Sequence, residues 1–240
     1  MIVSRHLPSP AVEVDLRAPD AAATLEALYE PDRPQWLSVN LVASVNGAGR
    51  GSDGTSDTLT RGADRRILGA IRRNSSIVLV GATTVRTEGN LFPRSTSLAV
   101  ATQSGDLTGH AFPSELEPGR LVVVCPSGAV ANVYRTLGEV PVTVLPVDAP
   151  RVTADTLIDT LREHGYDAIV CEGGPSLAGQ LVDAGLVDEL CLTTSPLLTG
   201  AASSDLRALD VAGRHDLELA QLLTDETGSI YARWRFTARG

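Results

Sequence analysis

The sequence predicts an α/β fold with a mostly parallel central sheet, helices on both faces and a C-terminal antiparallel hairpin. From residue 36 onward, apolar runs of strand length alternate with amphipathic helical segments. Such alternation of strands and helices implies a largely parallel sheet that is covered on both faces. The tail changes to two strand-like segments around Gly228, so we expect a hairpin at the sheet edge.

The predicted elements follow one another in a regular order. A strand, WLSVNLVAS, begins at Trp36, and a glycine-rich loop and the helix ADRRILGAIRRN come next. From Ser76 the order is strand SIVLVG, helix ATTVRTE, strands LAVAT and RLVVVC, helix AVANVYRTL, strand VPVTVL, helix TADTLIDTLREHG, strand DAIVCEGG, helix SLAGQLVDAG, strand DELCLTTSP and the hairpin HDLELAQLLTDETGSIYARWRF.

The chain divides into two parts of unequal size. Residues 1–35 contain five prolines around one short helical pattern, AAATLEALYE, and are predicted to form an N-terminal extension packed on the domain. Residues 36–240 show no linker and no internal repeat, which favours a single domain of catalytic size.

Composition excludes several classes of function. The 240 residues are 43% hydrophobic and 20% charged, which is typical of a globular protein. All 20 basic residues are arginine, so chemistry that requires a lysine is excluded, including pyridoxal Schiff bases and P-loop phosphate binding. The net charge of -9 opposes binding to nucleic acid or to an anionic membrane. We therefore expect a small-molecule substrate.

The cysteines and histidines give no metal-binding pattern. Cys125, Cys171 and Cys191 lie in apolar runs at wide spacing, and an odd number of such residues indicates buried free thiols. The four histidines are equally scattered, so no metal site is expected. The N-terminus lacks the pattern of a signal peptide, and no apolar run reaches the length of a membrane span. We expect a cytoplasmic protein.

The segment DAIVCEGGPSLAGQ is the strongest local signal for a ligand site. Glu172 follows a buried strand, Gly173 and Gly174 follow it, and Pro175 and Ser176 begin a helix. Glycines allow backbone N–H groups to approach a ligand closely, and the start of a helix attracts anions. The alternative is a tight turn without a ligand, in which Glu172 braces the helix. A carboxylate at the carboxyl end of a strand favours the ligand site.

The segment SIVLVGATTVRTEGN repeats this arrangement. Gly81 ends a strand, Thr83 and Thr84 supply hydroxyls at a helix start, and Arg86 follows within one turn. Two such helix starts in one sheet indicate a ligand with more than one phosphate, and an arginine beside one of them suits the 2′-phosphate of NADP. Helix capping by the threonines and a solvated Arg86 remain the alternative.

The segment NGAGRGSDG resembles a dinucleotide-binding fingerprint only weakly, because polar residues separate it from the next helix. We interpret it as a flexible loop that could act as a flap over the substrate. The chain has no G-x-S-x-G and no Walker A pattern, which disfavours nucleophilic hydrolases and phosphoryl transfer.

Four segments in order resemble one family: WLSVNLVASVNG, TRGADRRILGAIRRNSSIVLVGATTVRTEG, CEGGPSLAGQLVDAGLVDELCLTTSPLLTG and SIYARWRF. They are similar to the reductase domain of riboflavin biosynthesis, which has a dihydrofolate-reductase-like fold, and within it to the stand-alone proteins of actinobacteria. The resemblance covers residues 36–237. It implies NADPH-dependent reduction of a pyrimidine with a phosphorylated ribosylamino group, in which hydride transfer opens the sugar to a ribityl chain.

The resemblance also implies roles for individual residues. The cofactor would be held by Val42, Ala43, Thr84, Glu88, Gly174, Pro175, Ser176 and Leu177. The substrate would face Ser56, Arg72 and Glu172. The chemistry of the side chains agrees for two of these, since Arg72 is able to bind a phosphate and Glu172 is able to hydrogen-bond a pyrimidine or a sugar hydroxyl. The alternative for Arg72 is a solvated position on an arginine-rich helix.

Two positions depart from the family pattern. Asn40 occupies the place of a lysine in the first strand, and Asn46 replaces the aspartate of the S-L-D-G motif. An amide replaces neither charge, so the reductase chemistry follows more directly from the resemblance than the substrate does. Asn46 and Glu172 are the predicted catalytic positions. The alternatives are a reductase of another heterocycle, such as a dihydropterin, and a non-catalytic NADPH-binding protein. The apolar run ELCLTTSPLLTG, interpreted as an edge strand, predicts a homodimer.

Overall fold

The computed structural model describes residues 1–88, 92–200 and 207–237. Its strands form one eleven-stranded sheet in the order β2-β1-β10-β11-β9-β3-β8-β4-β5-β6-β7. The strands are β1 (Ile2–Leu7), β2 (Val12–Asp15), β3 (Trp36–Ser44), β4 (Ile77–Gly81), β5 (Ser97–Ala101), β6 (Leu121–Pro126), β7 (Thr143–Val147), β8 (Ala168–Cys171), β9 (Glu189–Ser195), β10 (Leu217–Asp225) and β11 (Ile230–Phe236).

The helices alternate with the strands along the chain, as the sequence pattern predicts. They are α1 (Ala21–Leu28), α2 (Asp64–Arg73), α3 (Ala82–Thr87), α4 (Val130–Leu137), α5 (Ala154–Glu163) and α6 (Pro175–Asp183). Among the described residues, no helix combines the length and apolar character that a membrane crossing requires.

The predicted fold class is confirmed. The strands from β9 to β7 in the sheet order pair with parallel neighbours. The hairpin of β10 and β11 is antiparallel, and Gly228 in its turn has a φ of 82°. Side chains of the central strands alternate between two apolar clusters. Val78 and Val80 of β4 pack in one cluster, whereas Ile77 and Leu79 pack in the other. Each face of the sheet is therefore covered.

Two expectations about the edges of the sheet are wrong. The hairpin does not lie at an edge, because β1 pairs antiparallel with β10 and β2 pairs with β1. The extension of residues 1–35 thus supplies β1 and the edge strand β2, and the other edge of the sheet is β7. The run ELCLTTSPLLTG is not an edge strand either, since β9 pairs with β11 on one side and with β3 on the other. The homodimer stays a prediction, but β9 gives it no support because both sides of this strand are already paired.

The expectation for the cysteines is confirmed. Cys125, Cys171 and Cys191 are buried and free. Burial raises the pKa of the Cys171 thiol to about 12, so this thiol is inert at neutral pH.

Candidate functional site

A cleft of about 670 Å³ opens at the carboxyl ends of β3, β4 and β8. This is the edge at which open α/β sheets bind ligands, and the volume is within the range of small-molecule sites. The lining residues are Asn40, Leu41, Val42, Gly49, Arg50, Thr55, Ser56, Asp57, Thr60, Asp64, Arg65, Leu68, Gly69, Arg72, Arg73, Thr84, Glu88, Phe92, Arg94, Ser95, Glu172, Gly173, Gly174, Pro175 and Ala208.

The glycine turn after β8 is held against the end of β4. The Glu172 N–H donates to the Leu79 carbonyl at 2.9 Å, and the Gly81 N–H donates to the Gly173 carbonyl at 3.0 Å. Gly173 has a φ of 109°, a conformation that favours glycine. The turn leads directly into α6, whose first residue is Pro175 and whose N-cap, Gly174, provides no side-chain cap. The start of α6 therefore borders the cleft, with Gly174 and Pro175 in the lining.

Arg72 and Glu172 form a bidentate ion pair in the cleft. Arg72 Nε donates to Glu172 Oε1 at 2.7 Å, and Arg72 Nη2 donates to Glu172 Oε2 at 2.6 Å. The side chains are 18% and 9% exposed. Burial lowers the pKa of the Arg72 guanidinium, but the Glu172 carboxylate more than compensates and raises it. The pair fixes the orientation of both groups. Sequence reasoning assigned each of them to the substrate but did not pair them.

Five arginines line the cleft: Arg50, Arg65, Arg72, Arg73 and Arg94. They are concentrated here in a chain whose net charge is -9. Three of them lie on α2, from which Asp64, Leu68 and Gly69 also line the cleft. Spacings of one and two helical turns indicate that a single face of α2 forms this wall. Of the five, sequence reasoning selected Arg72 alone, although the helical spacing was available to identify Arg65 and Arg73.

Asp64 is a cleft residue that sequence reasoning missed. It is the first residue of α2, and only 9% of it is exposed. Burial raises the pKa of its carboxyl group, hydrogen bonds with Thr193 and Thr60 and the charge of Arg65 oppose the rise, and the charge of Glu172 adds to it. An acidic residue at a helix start is ordinarily explained by the helix dipole. Its sequence position therefore gave no signal of burial.

Ser56 and Glu88 are joined to each other. The Ser56 N–H donates to Glu88 Oε1 at 3.1 Å, and the Ser56 hydroxyl donates to Glu88 Oε2 at 3.3 Å. This contact ties the glycine-rich loop to the end of α3. Within the loop, the Asp53 carboxylate accepts hydrogen bonds from the Thr55 N–H at 3.0 Å and from the Thr58 hydroxyl at 3.1 Å. The loop borders the cleft, as a flap would.

Asn46 lies outside the lining of the cleft. Its Oδ1 accepts from the Ser44 hydroxyl at 2.8 Å and from the Thr199 N–H at 3.1 Å, and its Nδ2 donates to the Thr199 carbonyl at 3.1 Å. These contacts connect the loop after β3 with the loop after β9. Asn40 lies inside the cleft.

The structure places the remaining predicted residues around these groups. Val42, Thr84 and Gly174 line the cleft. Arg86 is exposed, and its guanidinium donates to the Asp106 carbonyl at 3.0 Å and to Thr83 Oγ1 at 3.4 Å. Besides Asn46, six predicted residues are not among the described lining residues: Ala43, Gly81, Thr83, Arg86, Ser176 and Leu177.

Comparisons with known proteins agree on one family and one fold. A profile described as the RibD C-terminal domain matches residues 35–231. The riboflavin biosynthesis protein RibD of Bacillus amyloliquefaciens is 25% identical over 179 residues, which are 69% of this chain and 46% of that protein. The chain thus spans about half the length of the curated relative that it matches.

Two solved structures share the fold. A pyrimidine reductase-like protein from Corynebacterium diphtheriae matches with a TM-score of 0.69 and 20% identity over 90% of this chain and 99% of that one. A diaminohydroxyphosphoribosylaminopyrimidine deaminase/5-amino-6-(5-phosphoribosylamino)uracil reductase from Thermotoga maritima matches with a TM-score of 0.65 and 18% identity, over 85% of this chain and 57% of that one.

Proposed function

The chain belongs to the RibD C-terminal domain family, and on that premise we propose that it is an NADPH-dependent reductase of a pyrimidine with a phosphorylated ribosylamino group. The observation that carries the proposal is that one cleft contains both five arginines and the uncapped start of α6. Both are anion-binding features that suit phosphorylated ligands. We assign the arginines to the substrate phosphate and the start of α6 to the cofactor.

The residues around α6 fit such a cofactor. A Cβ on Gly174 would lie 3.2 Å from Thr84 Oγ1, so a larger residue there would fill the space between the turn and α3. When bound, NADPH supplies the hydride. The residues that we assign to it, from the family resemblance and the two helix starts, are Val42, Ala43, Gly81, Thr83, Thr84, Arg86, Glu88, Gly173, Gly174, Pro175, Ser176 and Leu177.

Ser56, Arg72 and Glu172 are assigned to the substrate. The Arg72–Glu172 pair supports this assignment, because a buried ion pair holds its groups in one orientation. Arg94 supplies positive charge in a cleft where Asn40 is neutral, whereas the Arg65 guanidinium pairs with Asp57 at 3.0 Å. The charge of Arg94 supports binding of a phosphate. The contacts of Asn46 with Thr199 support a role in holding the loop after β3. We retain Glu172 and Asn46 as the proposed catalytic positions.

Binding of the cofactor is tested by thermal unfolding with NADPH. A ligand that binds only the folded state stabilises it by about 2.7 kcal/mol at a concentration one hundred times its dissociation constant. We expect the melting temperature to rise with NADPH concentration in the micromolar range. An unchanged melting temperature at millimolar NADPH would exclude the proposed reductase.

Turnover is tested by the loss of NADPH absorbance with the phosphoribosylamino-pyrimidine and, separately, with a dihydropterin. Oxidation with the pyrimidine alone supports the proposed substrate. Oxidation with the dihydropterin alone assigns the same chemistry to another heterocycle. Binding of NADPH without oxidation in either assay indicates a non-catalytic protein.

We also propose a homodimer. Val45 and Leu198 are 61% and 74% exposed, and the Val45 N–H donates to the Leu197 carbonyl at 3.0 Å, so the two side chains lie on adjoining loops. Exposed apolar side chains that adjoin one another are typical of protein interfaces. Light scattering on the purified protein gives the mass in solution, and the mass of a single chain contradicts the dimer.

A further inference from the structure

The Asp64 carboxyl group is buried and yet lines the cleft. It begins α2, and the position of α2 is fixed by the preceding residue, because the Ala63 N–H donates to Asp225 Oδ2 and to Tyr231 Oη, each at 2.8 Å. Asp64 is on the same face of α2 as Arg72, two turns away. Asp64 and the Arg72–Glu172 pair therefore face one cavity.

Asp64 is buried without an ion pair. The hydroxyl groups of Thr60 and Thr193 lower the pKa of its carboxyl group, but burial outweighs them and the pKa is raised. Thr193, on β9, is 5% exposed. Within residues 1–88, 92–200 and 207–237, Asp64 forms no salt bridge. A buried carboxylate without a partner cation is costly, and the group reduces that cost by keeping its proton.

The charged groups near Asp64 do not cancel the effect of burial. Arg65, next to it on α2, favours the ionised form, whereas Glu172 after β8 opposes it. Tyr29, after α1, is fully buried, and burial raises the pKa of its phenol, so it adds no charge at neutral pH. The pKa of Asp64 is raised in total, with burial as the largest cause.

Glu172 differs from Asp64 in this respect. Both of its carboxylate oxygens accept hydrogen bonds from Arg72. A carboxylate so occupied by a cation is an electrostatic and orienting group. The cleft thus contains one carboxyl group that is paired with a cation and one that is buried without a cation. Such different environments move the pKa values of two carboxyl groups apart, so that one serves as the acid and the other as the anion.

We propose that the Asp64 carboxylic acid donates the proton that the sugar ring oxygen takes up during the reduction. The inference rests on the proposed function. The bond between the ring oxygen and the anomeric carbon breaks, and its electron pair stays on the oxygen, which takes the proton of Asp64. The amino nitrogen forms a double bond to the anomeric carbon, and this carbon then receives hydride from NADPH while the electrons return to nitrogen. Asp64 is left ionised and regains a proton from water after product release.

The protonation state of Asp64 can be measured without turnover. In protein labelled with ¹³C-aspartate, the resonance that is missing in Asp64→Asn belongs to Asp64, and its chemical shift is followed against pH. We expect its midpoint to lie above the ordinary value of 3.8. A midpoint at or below that value overturns the proposal.

Kinetics of Asp64→Asn test the role of the proton. We expect NADPH affinity and melting temperature close to wild type and turnover lower by about 10²- to 10⁴-fold, the range of one general acid. The decline of the wild-type rate at high pH should be lost in this variant, and Asp64→Glu should restore part of the rate. The matched control is Asp155→Asn, which alters an exposed acid in the first turn of α5 and should leave all parameters unchanged.

The outcomes distinguish failure of the proton assignment from failure of the proposed function. Wild-type turnover that survives in Asp64→Asn overturns the proton assignment alone. A loss of NADPH binding in proportion to the loss of rate also overturns it, since Asp64 would then have a structural role. Absence of wild-type turnover on the pyrimidine overturns the proposed function, and the proton assignment with it.

Discussion

Glu172 and Arg72 depend on each other for charge compensation. The pair is mostly buried, and both of its hydrogen bonds join charged groups. Removal of one partner from a buried pair is strongly destabilising, because the other charge is left uncompensated. A variant that keeps the shape of the pair is therefore more informative than a truncation.

Glu172→Gln preserves the shape and removes the charge. We expect NADPH affinity to be retained and turnover to fall by about tenfold to a thousandfold, the range for one electrostatic or acid–base contact. Melting temperature, NADPH affinity and rate should be measured on the same preparation, with the exposed Glu163→Gln at the end of α5 as the control. A loss of NADPH affinity in proportion to the loss of rate would instead assign Glu172 to bracing the turn, since the uncompensated Arg72 charge lowers the melting temperature in either case.

Substitution of Arg86 tests whether the protein prefers NADPH to NADH. If its guanidinium leaves the Asp106 carbonyl to bind the 2′-phosphate, Arg86→Ala should weaken NADPH by about 1.5 to 3 kcal/mol, the scale of a hydrogen bond to a charged group, and leave NADH nearly unchanged. Titration calorimetry with both cofactors measures the difference. The control is Arg135→Ala, an exposed arginine that also lies near Asp106. Equal losses for both cofactors would give Arg86 a structural role.

At the scale of elements, the turn of the β10–β11 hairpin positions the start of α2. Asp225 Oδ1 accepts from the Thr227 N–H at 2.8 Å, and Asp225 Oδ2 accepts from the Tyr231 hydroxyl at 2.6 Å and from the Ala63 N–H at 2.8 Å. One carboxylate thus joins the hairpin to the helix that contains Asp64 and Arg72. The geometry of the cleft wall depends on a turn at the far end of the chain.

Asp225→Ala should destabilise the protein in a manner that depends on pH. Burial alone would raise the pKa of Asp225, but hydrogen bonds from Thr227, Tyr231 and Ala63 outweigh it and lower the pKa. A carboxyl group whose pKa is lowered by folding stabilises the protein at pH values above its unfolded-state pKa of about 3.9. This stabilisation is lost as the pH falls through the folded-state pKa. We expect a loss of about 1.5 to 3 kcal/mol at pH 7.

Denaturant unfolding from pH 7 down to pH 3 measures this dependence. The difference between wild type and Asp225→Ala should become smaller at the acidic end, because the wild-type carboxylate is protonated there. A difference that stays constant with pH would show that the carboxylate charge does not contribute.

On the scale of the whole molecule, the sequence predicted the elements that depend on local sequence patterns. The strands from β3 to β9 were predicted from apolar runs, and the hairpin from its turn. β1 and β2 were missed because they are short, lie among prolines and pair with β10 at the other end of the chain. The Arg72–Glu172 pair and the burial of Asp64 against Thr193 are likewise contacts between distant segments, which periodicity in one segment does not reveal.

Deletion of residues 1–15 should uncover the edge of β10. Val3 and Val14 are buried in the core, and each buried side chain of this kind contributes about 1.5 to 3 kcal/mol. At this figure for each buried side chain, we expect the free energy of unfolding to fall by several kcal/mol. We also expect the chains to associate through the exposed strand β10. Thermal unfolding and light scattering measure these effects, with the exposed Glu13→Gln as control. An unchanged melting temperature and mass would show that β1 and β2 are dispensable.

The absence of lysine from the arginine-lined cleft determines which covalent modifications could alter its charge. Acetylation and carbamylation of lysine neutralise ammonium groups, and this chain contains none on its side chains. Guanidinium groups also stay protonated throughout the physiological pH range. The positive charge of Arg50, Arg65, Arg72, Arg73 and Arg94 is therefore insensitive to acyl donors, whereas dicarbonyl compounds, which condense with guanidinium groups, would act on the substrate side of the cleft.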